Sequence, residues 1–340
     1  MRVVEIDRFG HPADVVRCVD RPDPVAGEGK VVVRMAVMSI NPADLLMIEG
    51  RYGERPAFPF VPGTEGVGRV ESVGPNVAGL AVGDPVVPLA GSCWRDRLVA
   101  RPEALIRLPP DLSLDQAAML KANPATAEAM LTLAPLEAGD WVMQNAANSA
   151  VGRNVIIAAR ARGLRTVNVV RRPDPVTDLE ALGADVVIVD NGRKPARLAA
   201  AVQEAVGDAG VKLAFDAIGG MATDALVAAV AQSGQVVNYG LLSSEPCQVD
   251  PYHLVFRDVH VRGFWLRTWF AEADRSAIKT LYERLIERLQ SGGLTTPVEA
   301  RYRLDDIAAA VDHAARPHRS GKILLTTDAA AGADQPSETR

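Results

Sequence analysis

Cysteine, histidine and aromatic residues are all scarce in this sequence of 340 residues. The three cysteines, Cys18, Cys93 and Cys247, lie far apart and form no C-x-x-C pair. So sparse and odd a set excludes a disulfide framework and a structural zinc knot, and it points to a reducing compartment. The five histidines, His11, His253, His260, His313 and His318, fall in no metal-ligand spacing. Each reads as a surface or satisfied interior residue, and no metal is expected. A Ser-His-Asp set and a G-x-S-x-G elbow are also missing. No apolar run nears the roughly 18 residues that a membrane-spanning helix needs. The net charge of −5 leaves no basic footprint for nucleic acid or an anionic membrane. The opening residues, MRVVEIDRFGHP, hold no apolar targeting core. The expectation is a soluble cytoplasmic protein with no nucleic-acid or membrane partner.

What is present suits two globular domains. The hydrophobic share of 48% and charged share of 23% are ordinary for such proteins, and the length exceeds one usual domain. The first third is rich in Pro and Gly, with short apolar runs at Lys30–Ser39, Val67–Val73 and Asp84–Leu89. Turn signals such as Gly74-Pro75 and Gly83-Asp84-Pro85 separate them. That pattern predicts a small, irregular β-barrel-like domain. Beyond Leu112, short apolar runs alternate with helical stretches. The strands are Trp141–Asn145, Thr166–Val170, Val186–Val189, Lys212–Asp216, Gln235–Tyr239 and His260–Trp265. Between the first two, Val151–Arg162 places Val151, Val155, Ala158 and Ala159 on one helical face. Such alternation predicts an α/β fold, a doubly wound parallel sheet with helices on both faces. After Trp265 come a charged amphipathic helix, Asp274–Gln290, a second helix, Asp305–Ala314, and a strand, Lys322–Thr327. The division expected is 1–118 with 266–327 for the barrel domain and 119–265 for the nucleotide-binding domain. Residues 328–340, poor in apolar mass, are expected to be a disordered tail.

The stretch Asn145-Ala146-Ala147-Asn148-Ser149-Ala150-Val151-Gly152 joins a predicted strand to a predicted helix. A dinucleotide fold needs small residues there, because backbone must approach the pyrophosphate at the helix amino terminus. In the G-x-G-x-x-G frame the positions read Ala147, Ser149 and Gly152, so one glycine of three survives. The nucleotide reading therefore rests on context, and an ordinary strand–helix connection is its alternative. At the end of the second strand an NAD site would carry Asp or Glu. Here TVNVV runs into Arg171-Arg172, and guanidinium groups suit a 2′-phosphate. NADPH is favoured over NADH; the alternative is two solvated arginines on a loop.

These residues resemble the medium-chain dehydrogenase/reductase superfamily, a GroES-like barrel domain with an inserted Rossmann domain. Where zinc-dependent members carry Gly-His-Glu, this chain has Gly63-Thr64-Glu65, and Ser39-Ile40-Asn41-Pro42-Ala43-Asp44 replaces their catalytic cysteine. Within the zinc-free branch the chain is similar to the mitochondrial-type 2-enoyl thioester reductases. NPADLLMIEGRYG (Asn41–Gly53), NPATAEAML (Asn123–Leu131), QNAANSAVG with TVNVVRR, and RGFWLRTW (Arg262–Trp269) carry that likeness.

The resemblance implies NADPH-dependent reduction of an enoyl thioester, on coenzyme A or acyl carrier protein, in fatty-acid metabolism. Hydride would go to the β-carbon and Tyr52 would give the α-carbon its proton. A phenol, with a usual pKa near 10, stays protonated at neutral pH and can donate to a forming enolate. The alternative for Tyr52 is a rim aromatic in a glycine-flanked loop. By the same resemblance, Asn123 would meet the cofactor or order the reacting groups, and Asn148, Ser149, Ala150 and Val151 would line the pyrophosphate. Arg171 and Arg172 take the 2′-phosphate; the family commonly separates its two arginines by one residue, which weakens Arg172's assignment. Tyr239, Gly240, Leu241 and Leu242 would belong to the nicotinamide half, with Phe264, Trp265, Leu266 and Arg267 beside the nicotinamide, and Lys322 matches a late lysine near the cofactor. Phe264 and Trp265 are equally readable as core. The sixth strand lies at a sheet edge, which predicts a homodimer. Rival readings are an NADPH:quinone or alkenal oxidoreductase of the same superfamily and a non-catalytic NADPH-binding protein.

Overall fold

The computed structural model describes residues 1–317 and 319–331; His318 and residues 332–340 of the expected tail lie outside the described residues. In chain order come β1 (Arg2–Glu5), α1 (Pro12–Val15), β2 (Arg17–Asp20), β3 (Val31–Ser39), α2 (Pro42–Ile48) and β4 (Gly66–Val73). Then follow β5 (Pro85–Pro88), β6 (Arg97–Ala100), β7 (Leu105–Arg107), α3 (Leu114–Ala117), α4 (Asn123–Met130), β8 (Trp141–Gln144) and α5 (Ala150–Ala161). The middle continues with β9 (Arg165–Val170), α6 (Val176–Leu182), β10 (Val186–Val189), α7 (Pro195–Val206), β11 (Val211–Asp216), α8 (Met221–Ala229) and β12 (Gln235–Asn238). Last come α9 (Pro251–Phe256), β13 (His260–Gly263), α10 (Leu266–Glu272), α11 (Arg275–Gln290), β14 (Val298–Arg303), α12 (Ile307–Ala315), β15 (Lys322–Thr326) and α13 (Asp328–Ala331).

The chain forms two compact units, Met1–Ala122 together with the chain from Tyr282 onward, and Asn123–Leu281. Both divisions fall later than the sequence reading places them. The first unit is built on β3, a valine-rich strand buried at every residue except Arg34. This strand pairs antiparallel with β4, β6 and β15, and the sheet runs β14-β15-β3-β4-β5-β7. Its core gathers Ile6, Met35, Ile48, Trp94, Val311 and Leu325, among others. At the far end, Asp328–Ala331 is helical instead of disordered. Thr327 starts that turn by accepting the Ala329 N–H on its hydroxyl, and three alanines, good helix formers, carry it on.

The second unit holds six parallel strands in the order β10-β9-β8-β11-β12-β13. That is the 3-2-1-4-5-6 order of a doubly wound Rossmann sheet. A parallel sheet covered on both faces needs strands apolar on both faces, and β8 is buried at every residue. Sequence order reverses between β8 and β11, so a ligand crevice is expected beyond the carboxyl ends of these two strands.

Candidate active site

At the carboxyl end of β8 the chain turns through Asn145–Ser149 into α5. Ser149 caps that helix, its hydroxyl accepting the Gly152 N–H at 3.1 Å. Gly152 has no alternative: a Cβ there would lie 2.5 Å from the Ala147 carbonyl oxygen. The turn therefore closes tightly and leaves the first N–H groups of α5 beside the crevice, the arrangement that binds phosphate. Asn148 is exposed, while Ser149, Ala150 and Val151 are half-buried at the helix entrance.

The two arginines after β9 part company. Arg171 lines a hollow with Asn145, Ala146, Asn191, Gly192 and Ile218. Arg172 instead pairs with Asp174, Nε to Oδ2 at 3.6 Å. Beyond β12, Tyr239 is half-buried, and its hydroxyl has no hydrogen-bond partner among the described residues. Burial holds its proton above the ordinary phenol range. A buried phenol without a partner awaits one from a ligand. Gly240 packs on the 217 backbone, where a Cβ would lie 2.5 Å from the Ala217 oxygen; Leu241 and Leu242 are exposed. Phe264 packs on the core with Leu213 and Phe215. Trp265, half-buried, opens α10 with the Arg267 guanidinium over its ring, and Leu266 is half-buried. Asn123 is half-buried at the first turn of α4.

In the first unit, Tyr52 is half-buried in the turn that follows α2. Helix α2 is locked at its start by Asp44, whose carboxylate accepts the Asn41 N–H at 2.8 Å. The other oxygen of Asp44 accepts the Thr64 N–H at 2.7 Å and its hydroxyl at 2.6 Å. Glu65 accepts the Ser39 hydroxyl at 2.6 Å, the Asn41 amide at 2.9 Å and the Ala122 N–H at 2.8 Å. Gly63, at φ +106°, makes this turn; a Cβ would meet the Trp94 ring at 2.4 Å. Lys121 donates to the Thr64 carbonyl at 2.6 Å, and Lys322 to Asn41 Oδ1 at 2.5 Å and the Ile40 carbonyl at 3.2 Å. Lys322, assigned by resemblance to the cofactor, thus has its ammonium committed to the Ile40–Asn41 backbone and side chain. Burial lowers both lysine pKa values, raises the Cys93 thiol to about 12 and raises Asp44 to about 6.

Two family models match the chain, "Alcohol dehydrogenase GroES-like domain" over residues 27–103 and "Zinc-binding dehydrogenase" over residues 150–287. The human mitochondrial enoyl-[acyl-carrier-protein] reductase is 38% identical over 333 residues, covering 96% of this chain and 88% of its own. The chain belongs to this enoyl reductase family of the medium-chain dehydrogenases/reductases. Among solved structures, a protein assigned as an NADPH:quinone reductase from Bacillus thuringiensis matches with TM-score 0.89 and 30% identity, over 96% of this chain and 98% of its own. The Etr1p complex with NADP and crotonyl-CoA matches in fold, with TM-score 0.86 and 24% identity, over 96% and 99%.

The zinc of the family-model name does not suit this chain's donors. Thr64, Ser39 and Asn41 are neutral oxygen and amide groups, and Lys121 and Lys322 already bring positive charge to Asp44 and Glu65. Among the described residues no group of three His, Cys, Asp or Glu could hold a metal ion. The cytoplasmic location expected from the sequence is overturned, because the human relative is named as a mitochondrial enzyme. Free thiols report reducing surroundings, which do not by themselves specify the cytoplasm. The sequence reading assigns no role of their own to Asp44, Glu65, Lys121, Asn145 or Asp216. Each is buried and polar, and a capping pattern, Asn41 with Asp44 three residues on, was the one signal available.

Proposed function

We propose that this enzyme reduces the 2,3-double bond of a trans-2-enoyl thioester, carried on coenzyme A or acyl carrier protein, with NADPH. Membership of the enoyl reductase family carries the reading. The cofactor fits the second unit on three counts: the tight Gly152 turn, the partnerless Tyr239 hydroxyl and Arg171 in the hollow. NADPH, when bound, supplies the hydride that adds to the β-carbon. The helix α5 entrance at Ser149–Val151 would hold the pyrophosphate, and Arg171 the 2′-phosphate, with Arg172 a lesser contributor because Asp174 already engages it. Tyr52 delivers the proton to the α-carbon of the enolate, and Asp44 fixes the start of the helix that leads to it.

Tyr52→Phe should cost about 100-fold or more in turnover of crotonyl-CoA, while NADPH binding stays at wild-type strength. The measurement is loss of NADPH absorbance with crotonyl-CoA and, in parallel, with a simple quinone. A second reading, NADPH:quinone or alkenal reduction, draws on the Bacillus thuringiensis relative. Turnover confined to the quinone and indifferent to Tyr52 would favour it and defeat the thioester assignment.

A homodimer is part of this proposal. Strand β13 is at the sheet edge with all four residues exposed. Beside it in sequence, α9 exposes Tyr252, Leu254, Val255 and Phe256. An unpaired edge with an apolar flank is suited to a symmetry mate.

A further inference from the structure

Beneath the nucleotide crevice, one carboxylate gathers donors from several segments of the chain. Asp216, the last residue of β11, is fully buried. Its Oδ1 accepts the Asn145 amide at 2.6 Å, the Ile218 N–H at 2.9 Å and the Gly219 N–H at 3.1 Å. Its Oδ2 accepts the Thr223 hydroxyl at 2.6 Å and the Asn238 amide at 3.1 Å. Asn145 closes the loop by accepting the Ala217 N–H at 2.8 Å. Among the described residues no lysine, arginine or histidine forms an ion pair with Asp216. Five neutral donors thus stand in for a counter-charge, an arrangement that is costly unless every bond is kept.

What the carboxylate joins is the site itself. Asn145 begins the turn into α5, Ile218 follows β11, Thr223 lies in the first turn of α8, and Asn238 ends β12. Two of these, Asn145 and Ile218, line the hollow that Arg171 borders. We propose that Asp216 is a positioning residue for the adenosine 2′-phosphate half of the dinucleotide, acting through Asn145 and the 217–219 turn. This rests on the NADPH reading above. Asp216 need not touch the nucleotide; it holds two walls of the hollow at a fixed separation.

The test is calorimetric titration of the full chain with NADPH and, separately, with adenosine 2′,5′-bisphosphate. Asp216→Asn keeps the shape but turns one acceptor oxygen into a donor that faces other donors. Asn145→Ser leaves Asp216 in place and shortens the bridge, which guards against a first variant that fails to fold. Both should weaken both nucleotides by about tenfold, the loss of a charge-assisted bond, with binding stoichiometry and the KM for crotonyl-CoA unchanged. A merely structural role would instead lower the stoichiometry, as a fraction of the chains unfolds, and leave the dissociation constants where they were. That result, or wild-type affinity in both variants, overturns the proposal. Failure of the wild-type chain to bind NADPH would overturn the cofactor reading itself, a separate outcome.

Discussion

Asp44 shows how much one buried side chain can weigh. Burial raises its pKa from 3.8 to about 6, against the pull of the Thr64 and Asn41 donors and of Lys322. The folded chain therefore holds this proton more tightly than the unfolded chain does. Stability from the group is fully present below pH 3.8 and declines as pH rises through about 6. The shift amounts to about 3 kcal/mol at about 1.4 kcal/mol per unit. Urea unfolding of wild type and Asp44→Asn across pH 4 to 7 should show this directly. The wild-type advantage should be largest near pH 4 and shrink by about 3 kcal/mol towards neutrality; a constant difference would place the titration elsewhere. Reading along the chain offers Asp44 only as a helix cap and gives no signal for Asp216. Asp216 meets Asn145 from 71 positions away, and Asp44 meets Thr64 from 20. Tyr52 and Arg171 could be proposed from the sequence because each sits within a short motif whose chemistry is local.

Among the elements, β9, β10, β11 and α11 match their expected spans to within a residue. The short strands β1, β2, β6 and β7 escaped, and so did β14, whose half-buried and exposed residues alternate. In the four short strands, three or four residues with mixed burial give no alternation to detect. Helix α5 depends on its first turn more than on its interior. Gly152→Ala would push a methyl group against the Ala147 carbonyl, and relieving that contact must open the turn proposed to hold the pyrophosphate. The expected cost is about 1–3 kcal/mol of stability, read as a lower thermal midpoint, with NADPH affinity falling as well. An unchanged midpoint would mean the turn can yield without strain.

On the scale of the whole molecule, the parallel order of the second unit was readable from alternation alone, since each strand–helix repeat leaves its own signature. Its edge strand makes a test of assembly. Val261→Lys in β13, where the side chain is already exposed, should convert a dimeric mass in light scattering to a monomeric one, because a lysine on an edge strand resists pairing. A wild-type mass of one chain at micromolar concentration would remove the dimer.

The position of β15 has a consequence for how the protein is made. This strand, close to the end of the described chain, sits inside the sheet between β14 and β3, and β3 has left the ribosome almost three hundred residues earlier. The second unit is a single uninterrupted run and can fold as it emerges. The first cannot close until β15 has emerged, and until then the apolar Val37–Ser39 end of β3 lacks its partner on that flank. During translation it is that flank, more than the Rossmann unit, that needs a chaperone's protection.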